Sequence, residues 1–227
     1  MVAGSADALT AGHFRKRPRD PSGGLPEDAI ILANFSQTYK ITPQMFSLWC
    51  QLLQQDNKRI LWLLCEQTRI QQRLRQEASN RGVDPTRIFF SSHLPTQQHL
   101  NRIRQADLIV DTYPYGGHTL TSDALWAGTP VAAMMGESFA SRVSASLLMG
   151  VGMGELVAHH QTEYVGFAAA LAGQPEQLVL LRQRLDTGKH VDRLSDPQSY
   201  AHRLESCMPM SCSGQSIYDA REKLNNL

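Results

Sequence analysis

Between Ala106 and Pro130 the chain reads ADLIVDTYPYGGHTLTSDALWAGTP: an apolar run, a turn bearing two glycines, and a helix-like segment opened by hydroxyls. Leu108-Ile109-Val110 is short and wholly apolar, the pattern of a strand buried on both faces of a parallel sheet. Gly116-Gly117 permits a sharp turn and a close approach of backbone to a ligand. The helix that includes Ala124-Leu125-Trp126 would then aim its free N–H groups and positive dipole end at whatever occupies the strand's carboxyl edge. Such an arrangement builds an anion site, and phosphate is its natural guest.

The rest of the chain supplies a sheet for that unit. Ile30 to Phe35 reads as a strand, and Thr42-Pro43 opens a helix with a capping hydroxyl and proline at its first position, running to about Gln55. Arg59 to Leu64 is a second strand, Arg69 to Arg81 a polar-faced helix stopped by Gly82, and Arg87 to Ser91 a third strand. Helix Pro95 to Arg104, strand Leu108 to Asp111, helix Ser122 to Trp126, strand Pro130 to Met134 and helix Ser138 to Leu148 follow. Helical segments near Glu163 to Leu171 and Pro175 to Leu185 come last. This alternation predicts an α/β fold, a Rossmann-like doubly wound parallel sheet whose ligand binds at the carboxyl ends of its strands.

Three units are expected: a linker-like 1–28, a nucleotide-binding lobe over 29–190, and a helical tail over 191–227. Arg15-Lys16-Arg17-Pro18-Arg19 reads as part of a solvated linker, with a nuclear-localisation or phosphate-binding run as the alternative. In the tail, Pro197 with Tyr200, Leu204 and Cys207 could open a short helix. A net charge of +1 gives no sign of a nucleic-acid surface. The longest apolar runs, such as Ile60 to Leu64, are too short for a bilayer, and no signal-peptide core is present. Four cysteines, Cys50, Cys65, Cys207 and Cys212, make no disulfide framework in a chain of 227 residues, so a reducing cytoplasm is expected. Cys207 and Cys212 lack a matching His/Cys pair, and no metal site is expected.

Three loops should gather at one sheet edge. The first carries Gln37, an amide donor, and Lys40, a compact cation for phosphate. The second carries Leu94, Thr96 and His99, with Arg102 three residues on, so that ring and guanidinium share a helix face and could both meet a flat base. The third carries Gly117, His118, Thr119 and Leu120, with donors for phosphate and with Asp123 able to accept from ribose hydroxyls. A plainer account of the third loop is Thr121 as N-cap, with Asp123 favouring the dipole from the first turn. Neither a Walker P-loop nor GxGxxG follows strand one, which disfavours an ATPase or a nicotinamide enzyme, and a phosphate site in the second half of the sheet instead suits a nucleotide-sugar transferase.

On these residues a resemblance becomes specific. ANFSQTYKITP (Ala33 to Pro43), RIFFSSHLPTQQHLNRIRQADLIVDTYPYGGHTLTSDALWAGTPV (Arg87 to Val131) and GESFASRVSASLL (Gly136 to Leu148) resemble the carboxyl-terminal lobe of the O-GlcNAc transferases, most closely those of bacterial type. The match runs from about Gly24 to Leu185. It implies the C-terminal half of a GT-B glycosyltransferase, transfer of N-acetylglucosamine from UDP-GlcNAc to serine or threonine of proteins with inversion, and no need for a metal or other cofactor. It also implies roles: Lys40 on the diphosphate and the charge of leaving UDP, assisted by Gln37; His99, Arg102 and the Leu94 backbone around uracil; His118 and Thr119 on the phosphates; Asp123 on ribose.

Two positions depart from the family pattern. Leu120 stands where a second threonine is frequent, and Thr96 where the animal enzymes carry a ribose-binding lysine. His118 favours UDP over the GDP-fucose used by plant relatives that lack this histidine. In the family an amino-terminal catalytic lobe and tetratricopeptide repeats come first, and no 34-residue helical repeat occurs here. The expectation is therefore a lobe that binds UDP or UDP-GlcNAc and needs that region elsewhere to act on a protein acceptor. A non-catalytic nucleotide-sugar-binding or interaction domain is the alternative, as is a transferase using UDP-glucose or GDP-fucose.

Overall fold

The computed structural model describes residues 24–186, together with 196, 198, 201, 202, 205 and 206. The basic run 15–19, Cys207 and Cys212 lie outside the described residues, as do nearly all of the 191–227 tail and most of the 1–28 segment.

Six parallel strands form the centre: β1 Ile30–Asn34, β2 Arg59–Leu64, β3 Ile88–Ser91, β4 Leu108–Val110, β5 Val131–Met134 and β6 Val157–Ala158, in the order β3-β2-β1-β4-β5-β6. Every position of β2, β4 and β5 is buried, because helices cover both faces of a sheet built by crossover connections. Those helices are α1 Pro43–Gln54, α2 Thr68–Asn80, α3 Thr96–Gln105, α4 Thr119–Trp126, α5 Phe139–Gly150, α6 Gln161–Ala172 and α7 Pro175–Asp186. The expected doubly wound sheet is thus the observed one.

Local chemistry sets the helix boundaries. Thr42 caps α1, its hydroxyl accepting from the Met45 N–H at 3.1 Å, with Pro43 at the first position. Gly82, at φ +73°, follows α2 in the left-handed conformation that ends helices. Trp49 of α1 and Tyr164 of α6 are fully buried and meet by a 3.3 Å hydrogen bond, indole donating to phenol. Buried Arg59 ties the same two helices, donating at 2.9 Å to the carbonyls of Leu52 and Ala169.

Four points of the sequence reading are corrected. Strand β6 was not expected, since two residues carry no readable alternation. Helix α4 begins at Thr119 rather than Ser122, because the Leu120 N–H already donates to the Gly117 carbonyl at 2.7 Å and starts the turn early. His118 takes the N-cap position; Thr121 is a buried interior residue and not a cap, and Asp123 falls in the second turn, not the first.

The strand order reverses between β1 and β4. From β1 the chain moves towards β2 and β3, whereas β4 continues towards β5 and β6, so the loops leaving these neighbours diverge and open a crevice at their carboxyl ends. Asn34 joins the two strands at this point. Fully buried, it donates from Nδ2 to the Val110 carbonyl at 2.8 Å and accepts from the Ser36 N–H at 2.9 Å. Deleting the amide would leave two buried backbone groups unpaired, at about 1–3 kcal/mol each. Asn34→Ala is therefore expected to lower unfolding stability by about 2–4 kcal/mol in urea titrations; a loss below about 0.5 kcal/mol would show that the amide bridge is not what fixes this junction.

Candidate functional site

The crevice at the switch point has a volume of about 480 Å³ and is walled by all three of the expected loops. Gln37 and Lys40 come from the loop after β1, Leu94 and His99 from the β3–α3 connection, and Gly117, His118, Thr119, Leu120 and Asp123 from the β4–α4 turn and helix. Arg102 also reaches the wall. Thr96, exposed at the first position of α3, does not line it. Phe35, Ser36, Tyr39, Leu64, His93 and Tyr115 complete the lining and were not singled out from the sequence. A larger hollow of about 760 Å³ between α6 and α7 is mainly apolar, with Leu156, Phe167 and Leu180 on its walls, and lies away from the carboxyl ends of β1 and β4.

At one end of the crevice lies the β4–α4 turn. A Cβ at Gly117 would sit 2.8 Å from an Asp111 carboxylate oxygen, and one at Gly116 would sit 2.9 Å from the Ser144 hydroxyl, so the turn packs onto polar side chains with no room for a larger residue. The Gly117 N–H donates to the Ser144 hydroxyl at 3.2 Å, which in turn shares a 2.9 Å hydrogen bond with Thr121. Asp111, fully buried at the end of β4, accepts from the Thr112 N–H at 2.8 Å. These contacts hold the inner side of the turn. Among the described residues, no protein acceptor receives the backbone N–H of His118 or Thr119.

His118 sits at φ +31°, a conformation uncommon outside glycine and costing about 1–3 kcal/mol. Its ring is held from three sides. Nε2 lies 3.2 Å from the Ala140 carbonyl, and Tyr115 and Phe139 present edge contacts at 5.4 and 5.9 Å. A carbonyl only accepts, so Nε2 carries the proton and Nδ1 is left open.

Lys40 crosses from the β1 loop to the same turn. Its ammonium donates to the Gly116 carbonyl at 2.9 Å and stands 3.8 Å from the centre of the Tyr115 ring, a cation–π contact. Burial lowers its pKa, and the negative charge of Asp111 pulls it back up. Asp111 itself is pushed up to about 6 by burial, against the donors from Ser144, Thr112 and Gly117 and the charge of Lys40. Asp123, half-buried on α4, is also raised by burial.

The opposite end is flat and ring-lined. His99 packs edge-on against Phe35 at 5.8 Å, and the Arg102 guanidinium stacks on Phe35 at 4.5 Å. Arg102 and His99 do share a helix face, but they bond to each other: Nη2 meets His99 Nδ1 at 2.6 Å, and Nη1 donates to the Ser91 hydroxyl and the Ser92 carbonyl at 3.0 and 2.5 Å. Arg102 is only 4% exposed. Since a guanidinium only donates, His99 accepts at Nδ1 and is neutral with its proton on Nε2. Burial and the Arg102 charge accordingly lower the His99 pKa. Among the described residues, no group of three His, Cys, Asp or Glu side chains is placed to hold a metal ion.

A doubly wound sheet with unspent N–H donors and a cation at one end of its switch-point crevice, and rings at the other, defines a Rossmann-like α/β lobe with a polar crevice at its switch point. Comparison with known proteins narrows this. The model of glycosyl transferase family 41 matches residues 18–204, and the chain belongs to that family. It is 38% identical over 184 residues to the UDP-N-acetylglucosamine–peptide N-acetylglucosaminyltransferase of Caenorhabditis elegans, a match covering 81% of this chain and 16% of the worm protein. Among solved structures, a mutant O-GlcNAc transferase of Thermobaculum terrenum superposes with a TM-score of 0.69 at 28% identity, over 77% of this chain and 36% of that one. The C-terminal domain of a group 1 glycosyl transferase from Francisella tularensis shares the fold at 14% identity, with a TM-score of 0.56, over 78% of this chain and 90% of that one. The fold is that of the C-terminal, Rossmann-like half of a GT-B glycosyltransferase, and the chain spans about a sixth of the worm relative's length.

The raised pKa of Asp111 makes a test of the turn. Its folded value lies above the ordinary 3.8, so the stability gained by the protonated carboxyl is present below about pH 4 and is lost as pH rises through about 6. Measured against Asp111→Asn, which does not titrate, the unaltered chain should lose relative stability between pH 4 and 6 and stay level above. A difference that is flat or rising across that interval would contradict the burial assigned to this carboxyl.

Proposed function

We propose that the crevice holds UDP-GlcNAc, and that the chain is the donor-binding lobe of an inverting, metal-independent transferase that places N-acetylglucosamine on serine or threonine of proteins. The observation that carries this reading is the convergence of Lys40 and the β4–α4 turn: an ammonium from one loop stands 2.9 Å from the Gly116 carbonyl, beside the two free N–H groups that follow it. A diphosphate meets a full cation and a helix N-terminus there. His99, neutral and fixed by Arg102, offers a ring for the uracil, and Asp123 accepts from the ribose hydroxyls. Membership of family 41 and the likeness to O-GlcNAc transferases support the donor and the acceptor class.

In this reaction the bond between the anomeric carbon and the β-phosphate oxygen breaks, and both electrons stay with the departing UDP. Stabilisation of that growing charge speeds the step only where the donors stand ready before it develops. Lys40, held by Gly116 and Tyr115, and the His118 and Thr119 amides supply it. The acceptor hydroxyl attacks from the opposite face of the sugar and gives up its proton to a solvent base as the new C–O bond forms, which inverts the anomeric centre.

Calorimetric titration of this chain with UDP, UDP-GlcNAc and GDP tests the reading: the uridine ligands should bind and GDP should bind more weakly. Lys40→Ala should weaken UDP by about tenfold to a hundredfold, the worth of a charged contact. In a glycosylating enzyme that contains this lobe it should lower turnover by about 10²–10³. Absence of UDP binding, or full activity of the alanine variant, would sink the proposal.

A further inference from the structure

Tyr115 stands on the crevice wall 43% exposed, outside the hydrophobic core, so burial does not account for an aromatic residue at this position. Among the described residues its ring contacts are with two groups of the anion end. The face carries the Lys40 ammonium 3.8 Å from the ring centre, and the His118 ring meets it edge-on at 5.4 Å. The backbone of Tyr115 is held separately. Its carbonyl accepts from the Thr112 hydroxyl at 2.7 Å, and the next residue, Gly116, donates its N–H to the Ala140 carbonyl at 3.0 Å. The turn therefore keeps its course without the ring, and the ring is left to act on its neighbours.

Lys40 needs such a neighbour. Its side chain is long and flexible, and the Gly116 carbonyl is the single described hydrogen-bond acceptor of its ammonium. A lysine ordered only when an anion arrives would lose part of that contact to the rotamer freedom it gives up; one already restrained by a ring face would not. Of the three ammonium donors Gly116 takes one and the ring one side, which leaves a donor for a phosphate oxygen.

We infer that Tyr115 is a positioning residue of the donor site: its ring face holds the Lys40 ammonium against the β4–α4 turn before the diphosphate arrives, and His118 at the ring edge sets its plane. This rests on the nucleotide reading above and names what keeps the cation of that reading in place. The requirement is a flat π face, which phenylalanine supplies and leucine does not.

Titrations with UDP and uridine, made on Tyr115→Leu and Tyr115→Phe and repeated in a Lys40→Ala background, test the role. Tyr115→Leu should weaken UDP about threefold to tenfold and leave uridine unchanged, and Tyr115→Phe should stay within about twofold of the unaltered chain. With Lys40 already alanine, Tyr115→Leu should change UDP affinity by less than about twofold, since the ring then has nothing to hold. Proton spectra of the ligand-free chain check the pairing itself: ring current should move the Lys40 methylene next to the ammonium upfield, and the shift should persist in Tyr115→Phe and vanish in Tyr115→Leu. Unchanged UDP affinity in Tyr115→Leu, an equal loss for uridine, a phenylalanine variant as weak as the leucine one, or a full additional loss in the Lys40→Ala background would each overturn the inference. An upfield methylene in an unaltered chain that binds no UDP would leave the pairing standing and remove the nucleotide reading, and the positioning role with it.

Discussion

The amide of Asn34 is where sheet and site become one problem. In a parallel sheet the strands end with backbone groups that their neighbours no longer pair, and at the switch point the two adjacent loops leave in opposite directions. Asn34 meets both demands with one side chain, donating to β4 and accepting from its own loop. An aspartate there would offer no donor to the Val110 carbonyl, and a leucine would leave both groups unpaired. The loops that leave both strands are placed relative to that junction: Ser36 directly, Lys40 by the short helical turn Thr38–Lys40, and the β4–α4 turn through the carboxyl end of the same strand pair.

Much of this could be read from the residues alone, because the apolar runs of β1, β2, β4 and β5 are buried on both faces and carry no competing pattern. The positions of Lys40, His99, His118 and Asp123 followed from the rule that ligands gather at the carboxyl ends of such strands. What escaped is what depends on contacts between loops distant in sequence. The cation–π pairing of Lys40 with Tyr115 joins residues 75 apart, and nothing in either loop announces the other. The early start of α4 escaped for a different reason: hydroxyls at Thr119, Thr121 and Ser122 are equally good caps on paper, and the choice fell to His118 because Thr121 is drawn inward by Ser144. Asp111 could have been noticed as a lone carboxylate ending an apolar strand.

A buried carboxyl beneath an anion site looks self-defeating, and its placement shows how the site handles charge. Burial raises Asp111 to about 6, so at neutral pH it is largely ionised and faces Lys40 as a compensating partner. Its hydrogen-bonding capacity is turned to the inner side of the turn, towards Thr112, Ser144 and Gly117, and away from the crevice. The outward face of the turn is left with N–H donors. The carboxyl would thus act on a bound phosphate through geometry, holding the turn whose amides would face it, and it acts on Lys40 through charge, favouring the ammonium that burial would otherwise discourage.

The two fixed cations of the crevice divide the work in consequence. Arg102 is charged at neutral pH, but its Nη1 and Nη2 donors are committed to His99, Ser91 and Ser92, its plane to Phe35, and its Nε is buried without a partner, so it fixes the tautomer and tilt of a ring and contributes little free charge. Lys40 is tied by one carbonyl and one aromatic face, both of which a phosphate oxygen can replace or join without loss of the charge. With Leu120 apolar and Thr96 off the wall, no other described side chain lining the crevice carries a fixed positive charge. A diphosphate bound here would therefore draw its only full countercharge from Lys40 and the remainder from amide dipoles, whose strength depends on how firmly Asp111 and Ser144 hold the turn.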